Sequence, residues 1–417
     1  MIQESEVLRT NKTKAAYVWL WAMIYFICLF FRDYFSVNIN KYIFVLFTLF
    51  CVMTMDVKQV FYLLCFLMPL YVGLPGNYMT LIFLFKILLD YKKIDLSIQG
   101  VFSVFAISVF IFIQNILTGY TGIANMMFIP GIILILLLFS HQANFEKKQM
   151  AFFFSFGVAC LGAIMLLSTL QVYDFSELLS VSFRLGAIDY TNENVMSVNV
   201  DPNYYGLFTI AAVSIAFPYI NDKSLKRRER LFIFIATILS VMVGIIGLSR
   251  AFLLMLLVWV VLYALSRNRV KSVFFTLLVV AAVIVLLFLL IPESIQAVMD
   301  RFSSGDMEGG NGRMRLIIEF FHSWTDSAVS LFFGVGMYVC NVHCMPLQFV
   351  YGGGIVLTAL MCVFIHSLRK GFKSKKRRSM GEWLPMLVTF VMASTVPIAG
   401  LLNFMFPIVI IGLYLKN

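Results

Sequence analysis

The interval from Pro292 to Pro346 gathers Arg301, Asp306, Glu308, Arg313, Arg315, Glu319, His322, Asp326 and His343, and it is the longest stretch without a membrane-length apolar run. The chain is 61% hydrophobic, so this many ionisable groups in one segment imply water or a charged ligand beside them. The residue types point to a chemistry. Arginine presents a planar fork that grips phosphate or carboxylate at two points. A neutral imidazole accepts a proton near physiological pH. Of the four histidines, His343 lies three residues before Pro346, at the mouth of an apolar run. His141 and His366 fall at helix ends on the opposite side, where an interfacial role suffices, and His322 falls on the amphipathic stretch Leu316 to Trp324.

Two shorter segments carry related residues. Arg184 stands in Ser-Phe-Arg-Leu-Gly-Ala, and Asp201-Pro-Asn-Tyr-Tyr-Gly206 opens an apolar run. Asp201 and Pro202 suit a helix start, with Asp as cap and Pro in the first turn. Asn203 then falls on that first turn, facing whatever the preceding loop encloses. Gly247-Leu-Ser-Arg250 sits at a tight turn between two apolar runs, and an arginine at a membrane edge with no acid nearby is costly unless it snorkels or meets an anion. Gly309, Gly310 and Gly312 precede Arg313 and Arg315 and permit close backbone approach. The candidate set is therefore His343 as base, with Arg250, Arg184, Arg313, Arg315, Asn203 and Asp201 as binding residues.

The elements that must position these residues are apolar. Mean hydropathy is +0.92 and charged residues make up 13%, against about 25% in a soluble domain. Runs near membrane length recur along the whole chain, and they predict an all-α polytopic membrane protein with about 12–14 transmembrane helices. The predicted layout is transmembrane helices over 1–171, an outer loop over 172–201, and helices over 202–291. A large, partly helical outer loop follows over 292–345, and C-terminal helices over 346–417. The runs 41–55, 77–90 and 402–415 are short enough to be tilted or re-entrant, whereas 346–368 reads as one span. The first run, after Arg9, Lys12 and Lys14, has no clear small-residue cleavage site and is expected to remain as a helix.

Placing the N-terminus in the cytoplasm puts 24 of the 32 Lys and Arg residues on the inner side and seven on the outer, with Lys86 inside a span. That asymmetry predicts cytoplasmic termini and an outward face for both long loops. The outer basic residues, Arg32 and Arg184 among them, then stand against the bias and need another reason to be there. The net charge of +11 does not indicate nucleic acid, because the basic residues sit in short loops between spans. Of the seven cysteines, most lie in apolar runs. Cys340 and Cys344 flank His343, which leaves a disulfide conceivable. The spacing lacks a second ligand cluster, so no metal site is expected. No Walker loop, paired carboxylates or dense acidic cluster is present, which argues against ATP-dependent or divalent-metal chemistry.

The order of these motifs resembles the bacterial O-antigen ligase and Wzy-type polysaccharide polymerase superfamily over roughly residues 182–365. Arg184-Leu-Gly comes first, then Asp201-Pro-Asn-x-x-Gly206, Leu248-Ser-Arg250 and Gly312-Arg313. Gly334-x-Gly336 follows, and then His343 before a span with Leu347-Gln348 and Gly352 to Gly354. The resemblance implies a metal-independent glycosyltransferase, needing no cofactor, in the bacterial inner membrane with its site on the outer face. Its donor would be a polyprenyl-diphosphate-linked oligosaccharide, and a chain-length regulator protein would be a partner beside the bilayer. Arg250, with Arg184 and Arg313, would hold the diphosphate, and His343 would activate the acceptor hydroxyl. Cys344, Met345 and Pro346 stand where the family has a small polar residue and an aromatic. The implied reaction is O-antigen or capsule-type polymerisation. Transfer to lipid A-core or protein by a ligase is the alternative within the family. A lipid-linked oligosaccharide flippase is the alternative of another class, and it would call for charges inside spans and internal repeats.

Overall fold

A computed structural model describes residues 2–119, 127–171, 174, 200–247, 249–266, 313–337, 339–340, 342–369, 380–396 and 402–416. The protein is an all-α, multi-pass membrane protein, with no strand among the described residues. Among the described residues, six helices are long and apolar enough to cross a membrane, and seven shorter apolar helices accompany them. Helices are the natural solution here, because hydrocarbon offers no partner to an open backbone group.

The first seven helices are α1 (Ile2–Tyr34), α2 (Lys41–Thr54), α3 (Val57–Leu70), α4 (Gly76–Leu89), α5 (Ile98–Thr118), α6 (Phe128–Ser140) and α7 (Lys147–Leu170). Then come α8 (Pro202–Ile220), α9 (Arg227–Ile246), α10 (Arg250–Ser266), α11 (Arg313–Thr325) and α12 (Ala328–Phe333). The chain closes with α13 (Met345–Leu368), α14 (Met380–Ala393) and α15 (Leu402–Lys416). The expected span at 271–291 lies outside the described residues.

Helices α7 and α8 form the axis, with 78% and 67% of their apolar windows buried, against 28% for α1. Helix α7 packs on α1, α3, α8 and α9, while α8 also meets α10, α14 and α15. Polar residues close the helix ends. Asp56 and Gln59 form a capping box at the start of α3, and Ser97 accepts from the Gly100 amide at the start of α5.

Two expectations are corrected. Arg32, placed among the outer basic residues that need another reason to be there, is 1% exposed and has one in its partners. Its Nε and Nη2 donate to the two carboxylate oxygens of Asp33 at 2.7 and 2.8 Å, and its Nη1 donates to the Gly73 carbonyl at 2.7 Å. The guanidinium also lies 5.6 Å from the Phe44 ring centroid. Arg32 is therefore a structural lock between α1 and the turn that follows α3.

The second concerns the expected span at 346–368, which is present as Met345–Leu368 but carries a break inside it. At Gly354 the backbone turns to φ 68°, ψ −177°, which splits α13 into a short first half and a longer second half. The segment after α12 crosses this break. Val335 donates to the Tyr351 carbonyl at 2.9 Å and Gly336 to the Gly352 carbonyl at 3.0 Å. Gln114 of α5 donates to the carbonyls of Phe333 and Gly352, the latter at 2.7 Å. The carbonyls freed by the break are thus satisfied from the protein, which is what tolerates a broken helix at membrane depth. Gly334 sits at φ 77°, and a Cβ on it would collide with the Gly352 carbonyl and the Gly354 amide.

Two stability predictions follow from these locks. Asp33→Asn leaves the Arg32 charge uncompensated and is expected to cost about 3–5 kcal/mol, while Arg32→Met with Asp33→Leu costs less. Gly334→Ala is expected to cost about 1–3 kcal/mol or more. Gly353→Ala, whose added methyl would press on the buried Leu357 side chain rather than on backbone, costs less than Gly334→Ala. Thermal unfolding of the detergent-solubilised protein reads both comparisons.

Candidate functional site

Four helices begin at one end of the bundle, and each carries a sequence-predicted residue at its start. Asp201 caps α8, accepting from the Asn203 amide at 2.8 Å. Arg250 is the first residue of α10, Arg313 is the first residue of α11, and His343 stands two residues before α13. Their charges act on one another: Arg313 feels both Arg250 and Asp201, and His343 feels both Arg313 and Asp201. The structure therefore brings Asp201, Asn203, Arg250, Arg313 and His343 together.

Hydrogen bonds hold the first two helix starts in register. The Asn203 Nδ2 donates to Asp201 Oδ1 at 2.8 Å, and Ser249 Oγ donates to Asn203 Oδ1 at 2.7 Å. Ser249 in turn accepts from the Phe252 amide at 3.2 Å, which caps α10 and aims Arg250. Ser249 was not among the sequence candidates. Its signal was present, since serine directly before a helical run is a preferred cap.

The His343 segment is braced from below. Gln348, buried in the first turn of α13, donates to the Met337 carbonyl at 3.1 Å and fixes the loop that leads to His343. Helix α11 docks beside it through Trp324. The Trp324 indole donates to the Leu331 carbonyl at 3.1 Å, and its ring lies 5.4 Å from that of Tyr351. Ile317, Phe320 and Trp324 form the apolar face that makes this contact, which leaves Arg313 at the helix start toward the cluster.

The electrostatics are unusual. Helix N-termini carry partial positive charge, so a cation in the first turn is unfavourable there. Arg250 and Arg313 nevertheless occupy first positions, and among the described residues neither has a carboxylate within ion-pair distance. Burial and the neighbouring Arg250 hold the Arg313 pKa below its usual value, partly offset by Asp201. Burial and the Arg313 cation likewise hold His343 below 6.5, with Asp201 opposing. A lowered pKa leaves the imidazole neutral at pH 7, with a lone pair free to take a proton. Two guanidinium groups with converging helix N-termini favour a multiply charged anion.

Other candidates fall elsewhere. Arg315 is not part of the cluster: it is 82% exposed and pairs with Glu319 one turn on at 2.7 Å. Arg184, Arg301 and the glycines at 309, 310 and 312 lie outside the described residues. His322 is exposed on α11, and His141 hydrogen-bonds Asp90 at 3.2 Å at the opposite end of the bundle. Cys340 and Cys344 are free thiols, so the disulfide left open above is not formed. Burial pushes the Cys340 thiol up to about 11. No group of three metal-ligating side chains occurs among the described residues.

The field at His343 is testable without any assumption about function. Arg313→Gln removes a cation that disfavours imidazolium, so the His343 pKa should rise toward 6.5. Asp201→Asn removes a favourable anion, so it should fall further. Histidine NMR titration, with His343→Ala to assign the signal, reads both shifts. No protein-family model matches the chain and no curated protein matches it, so the residues and their geometry carry the functional reading.

Proposed function

We propose that the protein is a polysaccharide polymerase acting on a lipid-linked donor. It moves glycan from a polyprenyl diphosphate to the non-reducing end of another lipid-linked repeat unit, at the outer face of a bacterial inner membrane. One observation carries the reading: Arg313, with Arg250 and Asp201 acting on it, lies beside a neutral His343, and among the described residues neither arginine has a carboxylate within ion-pair distance. An activated sugar outside the cell has no nucleotide supply and must arrive on lipid. Its leaving group is a diphosphate, whose developing charge needs fixed cations.

In this reading His343 takes the proton from an acceptor sugar hydroxyl. The hydroxyl oxygen forms a bond to the anomeric carbon of the donor. The bond from that carbon to the diphosphate oxygen breaks, and the diphosphate leaves with the electron pair. Arg250 and Arg313, with Arg184 from the adjoining loop, stabilise the departing charge. Asn203 and Ser249 act by positioning, since they hold the starts of α8 and α10 together. Only residues of this chain are needed for these steps.

His343→Ala is expected to lower turnover about 10²–10⁴-fold, the usual loss on removing a general base. Arg250→Ala is expected to lower it about 10²–10³-fold, as for removing one charge-stabilising group. Glycan chain length in a deletion strain complemented with each variant reads the result. Long polymer made by either variant, at normal membrane levels, would sink the assignment. Single repeat units on the acceptor in the deletion strain fit a polymerase, whereas full polymer left on the carrier lipid would point to a ligase. Because imidazole must be neutral, the acid limb of kcat/KM should fall below pH 6.5.

A further inference from the structure

The opposite end of the bundle holds a second polar feature that the proposed reaction does not use. A cleft of about 1520 Å³ opens between the starts of α3, α7 and α9 and the end of α4. Helix α9 links the two ends, with Arg228 at its cleft end and Ser249 and Arg250 just beyond its other end. Its 20 residues place the two features about 30 Å apart.

The charges lining the cleft divide into paired and unpaired. Lys93 meets Asp90 at 3.1 Å and Lys148 meets Glu229 at 2.8 Å, so two of the acids are engaged. Asp56 caps α3 through the Gln59 amide, and Glu146 stands exposed at the rim. Lys58, Lys86 and Arg228 remain, and no carboxylate among the described residues lies within ion-pair distance of them. Lys86 projects from the last turn of the membrane helix α4, where a charge needs a polar partner.

The wall also carries Trp19, Tyr62, Phe152 and Phe232, among small and amide side chains. Trp19 stacks on Phe153 at 4.3 Å and meets Phe232 edge-on at 5.2 Å. Unpaired cations and aromatic rings in one cleft fit a molecule with an anionic head and an apolar body. The volume exceeds the ~300–1,000 Å³ of an ordinary small-molecule pocket, so a lone inorganic ion would leave it mostly unfilled. The cleft also opens where helices end, and the ends of membrane-crossing helices lie near lipid headgroups. We propose that it binds a phospholipid from the leaflet at that end, with the phosphate held by Lys58, Lys86 and Arg228.

The test uses the full chain, purified in detergent and offered equal amounts of phosphatidylglycerol and a phosphate-free galactosyldiacylglycerol of matched chains. Native mass spectrometry counts the lipid retained. The wild type should prefer the phospholipid by about tenfold or more, given the attraction of each basic group for anionic lipid. Lys58→Ala/Lys86→Ala/Arg228→Ala should abolish that preference, and Lys58→Arg/Lys86→Arg/Arg228→Lys should keep it. A control removing three exposed cations outside the cleft, Lys92→Ala/Lys223→Ala/Arg369→Ala, should also keep it. Circular dichroism and gel filtration check folding, and single Lys58→Ala and Arg228→Ala variants at exposed positions serve if the triple variant does not fold. No preference in the wild type, or an equal preference in the triple alanine variant, overturns the proposal. So does loss of bound lipid in millimolar inorganic phosphate, which would assign the cleft to a soluble anion.

Discussion

Arg250 and Arg313 repel one another, and each sits where a helix dipole already places positive charge. That is the constraint around which the site end of the molecule is arranged. A fold under selection for stability alone would put a carboxylate between them or move one away. Asp201 is the one acidic group shown to act on the pair's field, and it is shared with His343 and with the cap of α8. One shared carboxylate does not balance two guanidinium groups. On the proposed reading, an anion from outside resolves the arrangement, and its energy is recovered when that anion binds.

Holding such a cluster open requires a scaffold that does not relax toward it. The hydrogen bonds from Ser249 to Asn203 to Asp201 fix the α8 and α10 starts relative to each other. On the other side, the first half of α13 is wedged by the segment after α12 and by Gln114, and its own Gln348 ties it to the Met337 carbonyl. Breaking α13 at Gly354 has a consequence for the site. It lets the first half of the helix, and therefore His343, take an orientation independent of the second half. The Arg32–Asp33 pair shows the opposite use of arginine. There the partner is built in and fully engaged, and the charge serves structure alone.

How much could be read from sequence depended on whether the signal was local. Asp201, Asn203 and Arg250 were legible because cap residues and an arginine at a tight turn report on their own few neighbours. Arg315 was misplaced for a reason visible in hindsight. It lies two residues from Arg313, which is about 200° around a helix, so the two cannot serve the same face. Arg32 was placed among the outer basic residues with no partner named, because a one-residue spacing gives no hint of a buried two-point pair with Asp33. Gln114 was invisible, since its partners lie 219 and 238 residues away. The break in α13 was half legible: Gly352 to Gly354 was noted, but the apolar length outweighed it.

On the proposed reading, the same arginine that grips the leaving group also governs the base. Arg313 holds the His343 pKa down in the absence of donor. A bound diphosphate brings negative charge beside both groups and screens the Arg313 field. An anion near an imidazolium favours it, so the His343 pKa rises when the donor is seated. The imidazole thereby becomes a stronger base only when there is an anomeric carbon for the activated hydroxyl to attack. Without donor, a weak and neutral base leaves the acceptor hydroxyl protonated. The ordering of donor before deprotonation then needs no moving lid; it follows from one cation placed between the base and the leaving group.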